Sequence, residues 1–227
     1  MALLEITDLR KSFTAPDGSR HDVIRIPRFT LEARTQVALS GTSGTGKTTF
    51  LHLIAGILTP DAGRIELDGQ PMSALSEAAR DRLRAIDIGY IFQTFNLLQG
   101  FTVLENVLLG MSFGPGADRG RAEELLKRVG LSGRLHHFPR QLSTGQQQRV
   151  AVARALAHRP KLVLADEPTG NLDAASARDA LALIRDGCAE NQAALLLVSH
   201  DQGVLDGFET RVSLATLNEA AAPGGVR

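Results

Sequence analysis

A short glycine- and threonine-rich segment, GTSGTGKTT at residues 41–49, restricts the possible folds of this chain more than any other feature of its sequence. It matches the phosphate-binding pattern G-x-x-x-x-G-K-[ST] at every fixed position. The apolar run VALS precedes it and the run FLHLIAGIL follows it, so a short strand leads into the loop and a helix leaves it. A flexible turn is the alternative, but it explains neither the Lys-Thr pair nor the flanking elements. The sequence therefore predicts an α/β fold with a phosphate-binding loop between a strand and a helix.

The residue types of this loop suit a nucleoside triphosphate and its metal ion. Glycines let the backbone curl around an anion without Cβ clashes. Lys47 is expected to contact the β- and γ-phosphates, and the Thr48 hydroxyl is expected to bind Mg²⁺. The residues predicted to contact the nucleotide are Gly41, Thr42, Ser43, Gly44, Thr45, Gly46, Lys47, Thr48 and Thr49.

Composition and charge narrow the function classes. The chain has 227 residues, of which 43% are hydrophobic, so it can bury a substantial core as one large domain. Its formal net charge is +0, and no nucleic-acid partner is expected. Cys188 is the single cysteine, which excludes an intrachain disulfide framework. No apolar run approaches the roughly 18 residues needed to cross a bilayer, so work at a membrane would need a separate spanning partner.

Short strands alternate with amphipathic helices along the chain. LLEITDL and RFTLEAR are predicted strands around the turn APDGS, and they indicate an N-terminal β-layer. From residue 94 the pattern becomes helical, beginning with a capping box that Thr102 and Glu105 form. We therefore expect one domain with an α/β core at residues 1–93 and 157–227, and an inserted helical subdomain at residues 94–156.

Two acidic residues follow an apolar strand in the second half of the chain. Asp166 and Glu167 come directly after LVLA, a run typical of a central parallel strand, and ligands of open α/β sheets gather at the carboxyl edge. Adjacent carboxylates raise each other's pKa. A magnesium ion on Asp166 and a reacting water beside Glu167 would relieve this repulsion. A solvated acidic loop is the alternative interpretation.

Two further polar residues also end strands. His200 ends AALLLVSH, where its imidazole could contact the γ-phosphate and help order the attacking water, although a purely structural histidine is the alternative. Gln93 ends IGYIFQ. Two interpretations of Gln93 are equally consistent with the sequence. Its amide could sense Mg²⁺ and the water, or it could simply mark the end of a strand.

The stretch LSTGQ at residues 142–146 predicts a second anion site. Ser143 is suited to cap a helix, and Gln146 can reach back to complete a capping box. Together with Gly145, the exposed N–H groups of the helix start would suit a phosphate. An ordinary capping box is a compatible alternative, and these residues alone leave open which phosphate is bound.

In their order and spacing, these motifs resemble the ATP-binding subunits of ABC transporters over nearly the whole chain. The resemblance implies a RecA-like P-loop NTPase core with an N-terminal antiparallel β-layer and an inserted α-helical subdomain, and it implies ATP and Mg²⁺ as ligands. The residues to which it assigns roles are the Walker A loop at 41–48, the Q-loop residue Gln93, the signature at 142–146, the Walker B aspartate Asp166, the catalytic Glu167, the D-loop residue Asp173 and the switch histidine His200.

The resemblance also implies a head-to-tail homodimer around two ATP molecules. Ser143, Gly145 and Gln146 would then contact ATP held by the opposite subunit, which identifies the second phosphate. Thr144 stands where the family has glycine, and its branched side chain adds bulk near the closed interface. Phe13 occupies the place of an aromatic beside adenine, and a buried core phenylalanine is the alternative.

A narrower resemblance, carried by GQPMSALS, GYIFQTFNLL, LENV and LADEPTGNLD, is to ATPases of lipoprotein-releasing and macrolide-export systems and their cell-division relative. It implies separate transmembrane permease subunits and a peripheral location at the cytoplasmic face of the inner membrane. Mechanical regulation of a membrane partner without cargo is the alternative function. In TFNLLQGF, the resemblance places Phe95, Leu97, Leu98 and Phe101 near a groove for a partner helix, and the core of the helical lobe is an equal alternative.

Overall fold

The computed structural model describes residues 1–42, 44–114 and 116–221, which form nine strands and eight α-helices. The strands are β1 (Ala2–Thr14), β2 (Arg20–Glu32), β3 (Gln36–Ser40), β4 (Ala62–Leu67), β5 (Gln70–Pro71), β6 (Ile88–Ile91), β7 (Leu162–Asp166), β8 (Ala194–Ser199) and β9 (Thr210–Ser213). The helices are α1 (Lys47–Ile54), α2 (Glu77–Asp87), α3 (Val103–Ser112), α4 (Arg119–Arg128), α5 (Thr144–Leu156), α6 (Ala174–Glu190), α7 (Gln202–Leu205) and α8 (Leu214–Leu217). These elements confirm the predicted α/β class.

A five-stranded parallel sheet forms the centre of the fold, with the strand order β6-β7-β8-β3-β9. Every residue of β7 and β8 is buried. This agrees with their continuous apolar runs, which are typical of strands covered on both faces. All five strands point the same way, so their carboxyl ends share one edge. That edge carries the loops that follow β3, β6, β7 and β8.

A four-stranded sheet with the order β2-β1-β4-β5 forms the N-terminal layer, and all its pairs are antiparallel. The APDGS turn joins β1 to β2 as predicted, and their pairing extends from Ala2 and Glu32 to Thr14 and Arg20. The buried face of this layer shares one apolar cluster with helix α1, in which Phe29 packs edge-on against Phe50 with ring centroids 5.7 Å apart. The layer therefore fixes the helix that leaves the glycine-rich loop.

Helices α3, α4 and α5 form a lobe with its own apolar cluster, which includes Val107, Leu126 and Val150. The Thr102 and Glu105 capping box at the start of α3 is present. Helix α5 has a second buried face, on which Val152, Ala155 and Leu156 pack in the cluster of the parallel sheet. Helix α5 is thus shared between the lobe and the sheet.

Candidate active site

The glycine-rich loop lies between β3 and α1, and its glycines adopt backbone conformations that other residues avoid. Gly44 and Gly46 have φ angles of 82° and 89°. A Cβ on Gly46 would lie 2.9 Å from Ile24 Cδ1 and 3.0 Å from the Val23 carbonyl oxygen, so strand β2 leaves room only for glycine there. The Thr45 hydroxyl donates to the Thr42 carbonyl at 2.8 Å and closes the turn. Ser43, also predicted to contact the nucleotide, lies outside the described residues.

Helix α1 begins at Lys47 without any side chain capping its N-terminus, and its first turn contains no acidic residue. Its N–H groups and positive dipole end are therefore available to an anion. The Lys47 ammonium donates to the Gly41 carbonyl at 2.7 Å and lies 3.1 Å from Glu167 Oε1. Lys47 and Glu167 are both largely buried, so this ion pair neutralises the lysine inside the site.

Glu167 follows β7 in a left-handed conformation, with φ 44°. Such a conformation in a residue other than glycine costs energy, and functional sites are where it recurs. The Glu167 carboxylate accepts hydrogen bonds from the Ser199 hydroxyl at 3.2 Å and from His200 Nδ1 at 2.7 Å. Burial alone would raise the pKa of Glu167, but the hydrogen bonds from His200 and Lys47 outweigh it and lower that pKa. Glu167 is therefore an ionised carboxylate at neutral pH.

The contact with Glu167 determines how the His200 ring is used. A carboxylate only accepts hydrogen bonds, so the ring nitrogen 2.7 Å from it, Nδ1, carries the proton. The side chain of His200 is 65% exposed. Its Nε2 is then free to interact with a group that enters the site from solvent.

Asp166, the last residue of β7, has the opposite electrostatic character. Burial raises its pKa, the adjacent Glu167 charge raises it further, and the Thr48 hydroxyl opposes the rise. Asp166 Oδ1 is buried and has no hydrogen-bond partner among the described residues. A buried, unpaired carboxylate oxygen beside a threonine hydroxyl fits a hard divalent cation. In the described ranges, no group of three or more His, Cys, Asp or Glu is placed to hold a metal ion.

These residues surround one cavity of about 350 Å³ at the carboxyl edge of the parallel sheet. The predicted residues that it brings together are Gly44, Gly46, Lys47, Thr48, Thr49, Gln93, Asp166, Glu167 and His200. Gln93 lies at its edge, where its backbone carbonyl accepts a hydrogen bond from Asn171 Nδ2 at 3.0 Å. Val23 also lines the cavity.

The residues of the LSTGQ stretch and Asp173 lie outside this cavity. Ser143 caps α5 with the predicted box, since its hydroxyl accepts from the Gln146 N–H at 3.3 Å and its own N–H donates to the Gln146 side chain at 3.0 Å. Asp173 caps α6 by accepting from the Ala175 N–H at 3.0 Å. The two helix starts are neighbours, because a Cβ on Gly145 would lie 3.3 Å from the Ser176 hydroxyl.

Thr144 and Phe13 are both exposed, which settles two points left open by the sequence. Thr144 is the first residue of α5 and is absent from the residues with positive φ, so its position needs no glycine for conformational reasons. Its branched side chain points to solvent, and only its bulk matters to a second molecule. Phe13 is 43% exposed, which excludes the alternative that it belongs to the core.

Comparisons with known proteins agree with this geometry. The family model described as ABC transporter matches residues 24–170. The chain is 43% identical over 218 residues to the lipoprotein-releasing system ATP-binding protein LolD of Shewanella frigidimarina, which covers 94% of this chain and 90% of that protein. The chain belongs to the ABC transporter ATP-binding family. It is an ATPase subunit of that family.

Two solved structures of the ATP-binding cassette MJ0796 have the same fold as this ABC subunit. One, described as a dimeric post-hydrolysis state bound to ADP and Pi, superposes with a TM-score of 0.86 at 31% identity and covers 96% of this chain and 95% of that one. The other, described as a dimeric bacterial ABC transporter cassette, has a TM-score of 0.83 at 32% identity and covers 92% of this chain and 93% of that one. The β-layer, the parallel sheet and the helical lobe are thus those of an ABC cassette.

The ABC subunit has a second, more apolar cavity of about 660 Å³ between the lobe and the sheet, which we call the lobe groove. Its lining includes Tyr90, Phe92, Leu109, Phe113 and three arginines, Arg82, Arg84 and Arg154. Phe113 is 76% exposed although it is fully apolar. An exposed phenylalanine at an apolar cavity is typical of an interaction surface.

The four apolar residues of TFNLLQGF do not line this groove. Leu97 is buried in the lobe cluster and Phe95 packs against it, so these two belong to the lobe core. Leu98 and Phe101 are 42% and 43% exposed. The segment therefore combines a core role and a surface role.

Sequence reasoning missed three contacts of the ABC site. Val23 on β2 meets the loop glycine, Asn171 bonds to the Gln93 backbone, and Lys47 pairs with Glu167. Each joins residues at least 23 positions apart, and no local pattern signals them. The tight glycine requirement at Gly46 was the one available indication that another backbone approaches there.

None of the helices in the described parts of the chain is long and apolar enough to cross a membrane.

Proposed function

We propose that this chain is the ATP-hydrolysing subunit of a lipoprotein-releasing ABC transporter, working with Mg²⁺ at the carboxyl edge of its parallel sheet. The observation that carries the proposal is the contact of Glu167 with both the buried Lys47 and the exposed His200, beside the unpartnered Asp166 Oδ1 in one cavity. The identity to a lipoprotein-releasing ATP-binding protein over 94% of the chain supports the transporter class.

Binding of ATP begins at the loop of residues 41–49. The uncapped start of α1 and the backbone N–H groups of the loop receive the phosphates, and Lys47 pairs with the terminal ones. The Thr48 hydroxyl and Asp166 would hold Mg²⁺, with the Gln93 side chain facing the same cavity. Magnesium supplies charge neutralisation between the phosphates when it is bound.

Glu167 orients and polarises the attacking water. In the structure its charge is committed to Lys47, and a triphosphate carries more negative charge at the same place, so it competes for the lysine. Lys47 then turns to the phosphates and leaves Glu167 to accept a hydrogen bond from water. His200 keeps its proton on Nδ1 toward Glu167, so its Nε2 lone pair can accept a hydrogen bond from the attacking water and help to order it.

The exposed start of α5 completes the site of a second copy of the chain. Ser143, Gly145 and Gln146 surround helix N–H groups, and the first turn of α5 carries no acidic residue that would repel a phosphate. Asp173 lies at the neighbouring helix start, on the same exposed surface. Two copies arranged head to tail would each place this surface over ATP in the other, and the solved MJ0796 cassettes are described as dimeric.

The lobe groove is the docking site for a helix of a transmembrane permease subunit. Apolar side chains and an exposed Phe113 suit the apolar face of such a helix. The chain would accordingly lie at the cytoplasmic face of the inner membrane, where it meets the permease. Residues 94–156 would move as the helical subdomain that links the groove to Ser143.

The test is the solution mass of a Glu167→Gln variant with and without Mg-ATP, measured by light scattering after size exclusion. We expect a monomer without nucleotide and a dimer with Mg-ATP, because the variant retains ATP that it hydrolyses at least about 100-fold more slowly. Adding Ser143→Arg should abolish the dimer.

Ser76→Arg is the matched control. Ser76 caps α2 with φ and ψ of −62° and 160°, compared with −65° and 161° for Ser143, and accepts a similar bond at 3.4 Å. A dimer lost equally in both arginine variants would contradict the assignment of the α5 start. Normal Mg-ATP turnover by Glu167→Gln would refute the catalytic assignment.

The transporter class is tested separately. Permease subunits coexpressed with the chain should copurify with it, and Phe113→Asp should release them while leaving Mg-ATP binding intact. In vesicles, the purified complex should release an acylated protein in an ATP-dependent manner. ATP turnover by the complex without such release would favour a mechanical regulator instead.

A further inference from the structure

A β-bulge shapes the end of the β1–β2 hairpin next to the active site. Lys11 pairs with Ile24 and Ser12 pairs with Asp22, so Val23 is the extra residue of β2 at this point. Beyond the bulge, Phe13 pairs with His21. A bulge bends and twists the strand that carries it and redirects its side chains.

Phe13 lies on the face of the hairpin that meets the phosphate loop. Leu9, Lys11 and Phe13 alternate along β1 and therefore share one face, which is the buried face at Leu9. On β2, a Cβ on Gly46 would lie 2.9 Å from Ile24 Cδ1 and 3.3 Å from Val23 Cγ1, so this face of the hairpin packs against the loop. The Phe13–His21 pair is two pairs beyond the Lys11–Ile24 pair at that contact, and the Phe13 ring is partly exposed.

The side chain of Asp61, in the segment between α1 and β4, stabilises the bulge. Asp61 precedes β4 and accepts hydrogen bonds from the Ser12 N–H at 2.8 Å and from Lys11 Nζ at 3.0 Å. Its own N–H donates to the Arg10 carbonyl at 2.9 Å. The last β1–β4 pair joins Arg10 to Ala62, so the Asp61 carboxylate takes the place of the next strand residue beside Ser12.

Lys11 adds a second connection between Asp61 and Phe13. Its ammonium donates to the Thr59 carbonyl at 2.9 Å and lies 5.6 Å from the centroid of the Phe13 ring. At that distance a cation interacts favourably with an aromatic face. The two residues that precede Phe13 on β1 are thus oriented by the chain at Thr59–Asp61.

We propose that Asp61 is a positioning residue for the nucleotide base: it fixes Ser12 and Lys11 so that the Phe13 ring lies beside the adenine of ATP bound at the phosphate loop. The inference rests on the proposed ATP site and on the place beside adenine that the family resemblance implies for Phe13. It adds that Asp61, which lies after the phosphate loop and helix α1 in the sequence, sets the geometry of this contact. Asp61 does so through Ser12 and Lys11 and does not itself contact the nucleotide.

Asp61 makes little difference to whether the protein folds. Its side chain is 30% exposed, and exposed ion pairs contribute little to stability. An Asp61→Ala variant should therefore fold, and a change in base recognition can be measured in the intact protein. Glu66→Ala is the matched control, because Glu66 lies on β4, the strand that Asp61 precedes, is 23% exposed and pairs with Arg64 without contacting the bulge.

The experiment compares Mg-ATP with Mg-tripolyphosphate, which has the phosphates but no base, by isothermal titration calorimetry. Asp61→Ala should weaken Mg-ATP binding about five- to tenfold and leave Mg-tripolyphosphate binding unchanged, because only the aromatic contact with the base is weakened. Asp61→Asn should recover part of the ATP affinity, because its amide oxygen still accepts from the Ser12 N–H.

A fluorescent reporter separates this inference from the proposed function. The chain contains no tryptophan, so Phe13→Trp introduces a single one at the stacking position. Its emission should change with Mg-ATP but not with Mg-tripolyphosphate, and Asp61→Ala in this background should weaken the ATP response as calorimetry shows.

Three different results would contradict the inference, and each has a different meaning. An ATP response that is equal with and without Asp61→Ala overturns the positioning role alone. No response in the Phe13→Trp protein, with ATP binding no tighter than tripolyphosphate, overturns the contact between Phe13 and the base and this inference with it. An equal loss of affinity for both ligands in Asp61→Ala shows a general structural effect and also refutes the positioning role.

Discussion

Arg154, on the helix shared by the lobe and the sheet, stabilises the turn that follows Gln93. Its guanidinium donates to the Asn96 carbonyl at 2.6 Å and to the Phe95 carbonyl at 2.7 Å. Phe95 and Asn96 are both left-handed, with φ angles of 56° and 48°. Two such residues in succession cost about 1–2 kcal/mol each, so the turn depends on outside support. Arg154→Met removes this support and retains an unbranched side chain of similar reach.

The expected loss combines two opposing effects. Each hydrogen bond to a charged group contributes about 1.5–3 kcal/mol, so the pair contributes about 3–6 kcal/mol. Arg154 has no carboxylate partner among the described residues, and burial lowers its pKa. Removing its desolvated charge returns part of that energy. We expect global stability to fall by about 2 kcal/mol, which lowers Tm by about 4–8 °C in a chain of this size.

The local effect should exceed the global one. Release of the two carbonyls should lower the opening free energy of residues 94–97 by about 3 kcal/mol. Their amide hydrogens should therefore exchange about a hundredfold faster. Leu98 is the internal reference, because its N–H donates to the Asn106 side chain at 2.8 Å independently of Arg154. Hydrogen exchange followed by mass spectrometry measures both regions in one sample.

Arg149→Met is the control for this prediction. Arg149 lies on the same helix and donates to the Val129 carbonyl at 3.3 Å and to Asp179 at 3.2 Å, a pair near the surface. Its loss should cost less than about 1 kcal/mol and leave residues 94–97 unchanged. Exchange of these residues in Arg154→Met within about threefold of the parent would refute the reasoning, whatever the change in Tm.

Three further predictions concern the site and the core. Asp166→Asn should raise Tm by a few degrees in magnesium-free buffer, because a buried carboxylate whose pKa is raised destabilises the native state when it is ionised. The gain should shrink as the pH falls through the raised pKa of Asp166 and disappear below the ordinary value of 3.8, where the folded and unfolded forms are both protonated, and a gain independent of pH would contradict the cause. Gly89→Ala should cost about 1–3 kcal/mol in urea unfolding, because its Cβ would lie 2.2 Å from the Ala155 carbonyl oxygen, whereas Gly100→Ala, with nothing within 4 Å, should be neutral. Cys188 is fully buried with its pKa raised to about 12, so a thiol reagent at pH 8 should label it only at the unfolding rate, and rapid labelling in native buffer would show that α6 opens.

Local signals in the sequence predicted the elements of the site. The loop at residues 41–49, the boxes at Thr102 and Ser143 and the polar residues that end strands each depend on neighbours within a few positions. Capping and loop geometry are properties of such short segments. The structure confirms these elements for that reason.

The orientation of Phe13 needed information that the strand pattern does not contain. Side chains alternate along a strand, so an even alternation from Leu4 and Ile6 would place Phe13 on the opposite face. Asp8, with φ 49°, shifts the alternation by one residue, and Leu9 is buried in place of Asp8. A single left-handed residue inside a strand thus reverses the face of everything after it, and its sequence signal is weak.

The spatial order of the strands explains why the catalytic contacts could not be read from the sequence. The loop follows β3 and Glu167 follows β7, and β8 lies between these two strands in the sheet. Ser199 and His200 at the end of β8 therefore lie between Lys47 and the β7 edge, and both contact Glu167. Pairing of Asp166 with Val198 sets this arrangement. A slip of one residue between β7 and β8 would reverse the direction of the Glu167 side chain and separate it from Lys47 and His200. The chemistry of the site thus depends on the register of two fully buried, largely apolar strands, whose last residues are Asp166 and Ser199.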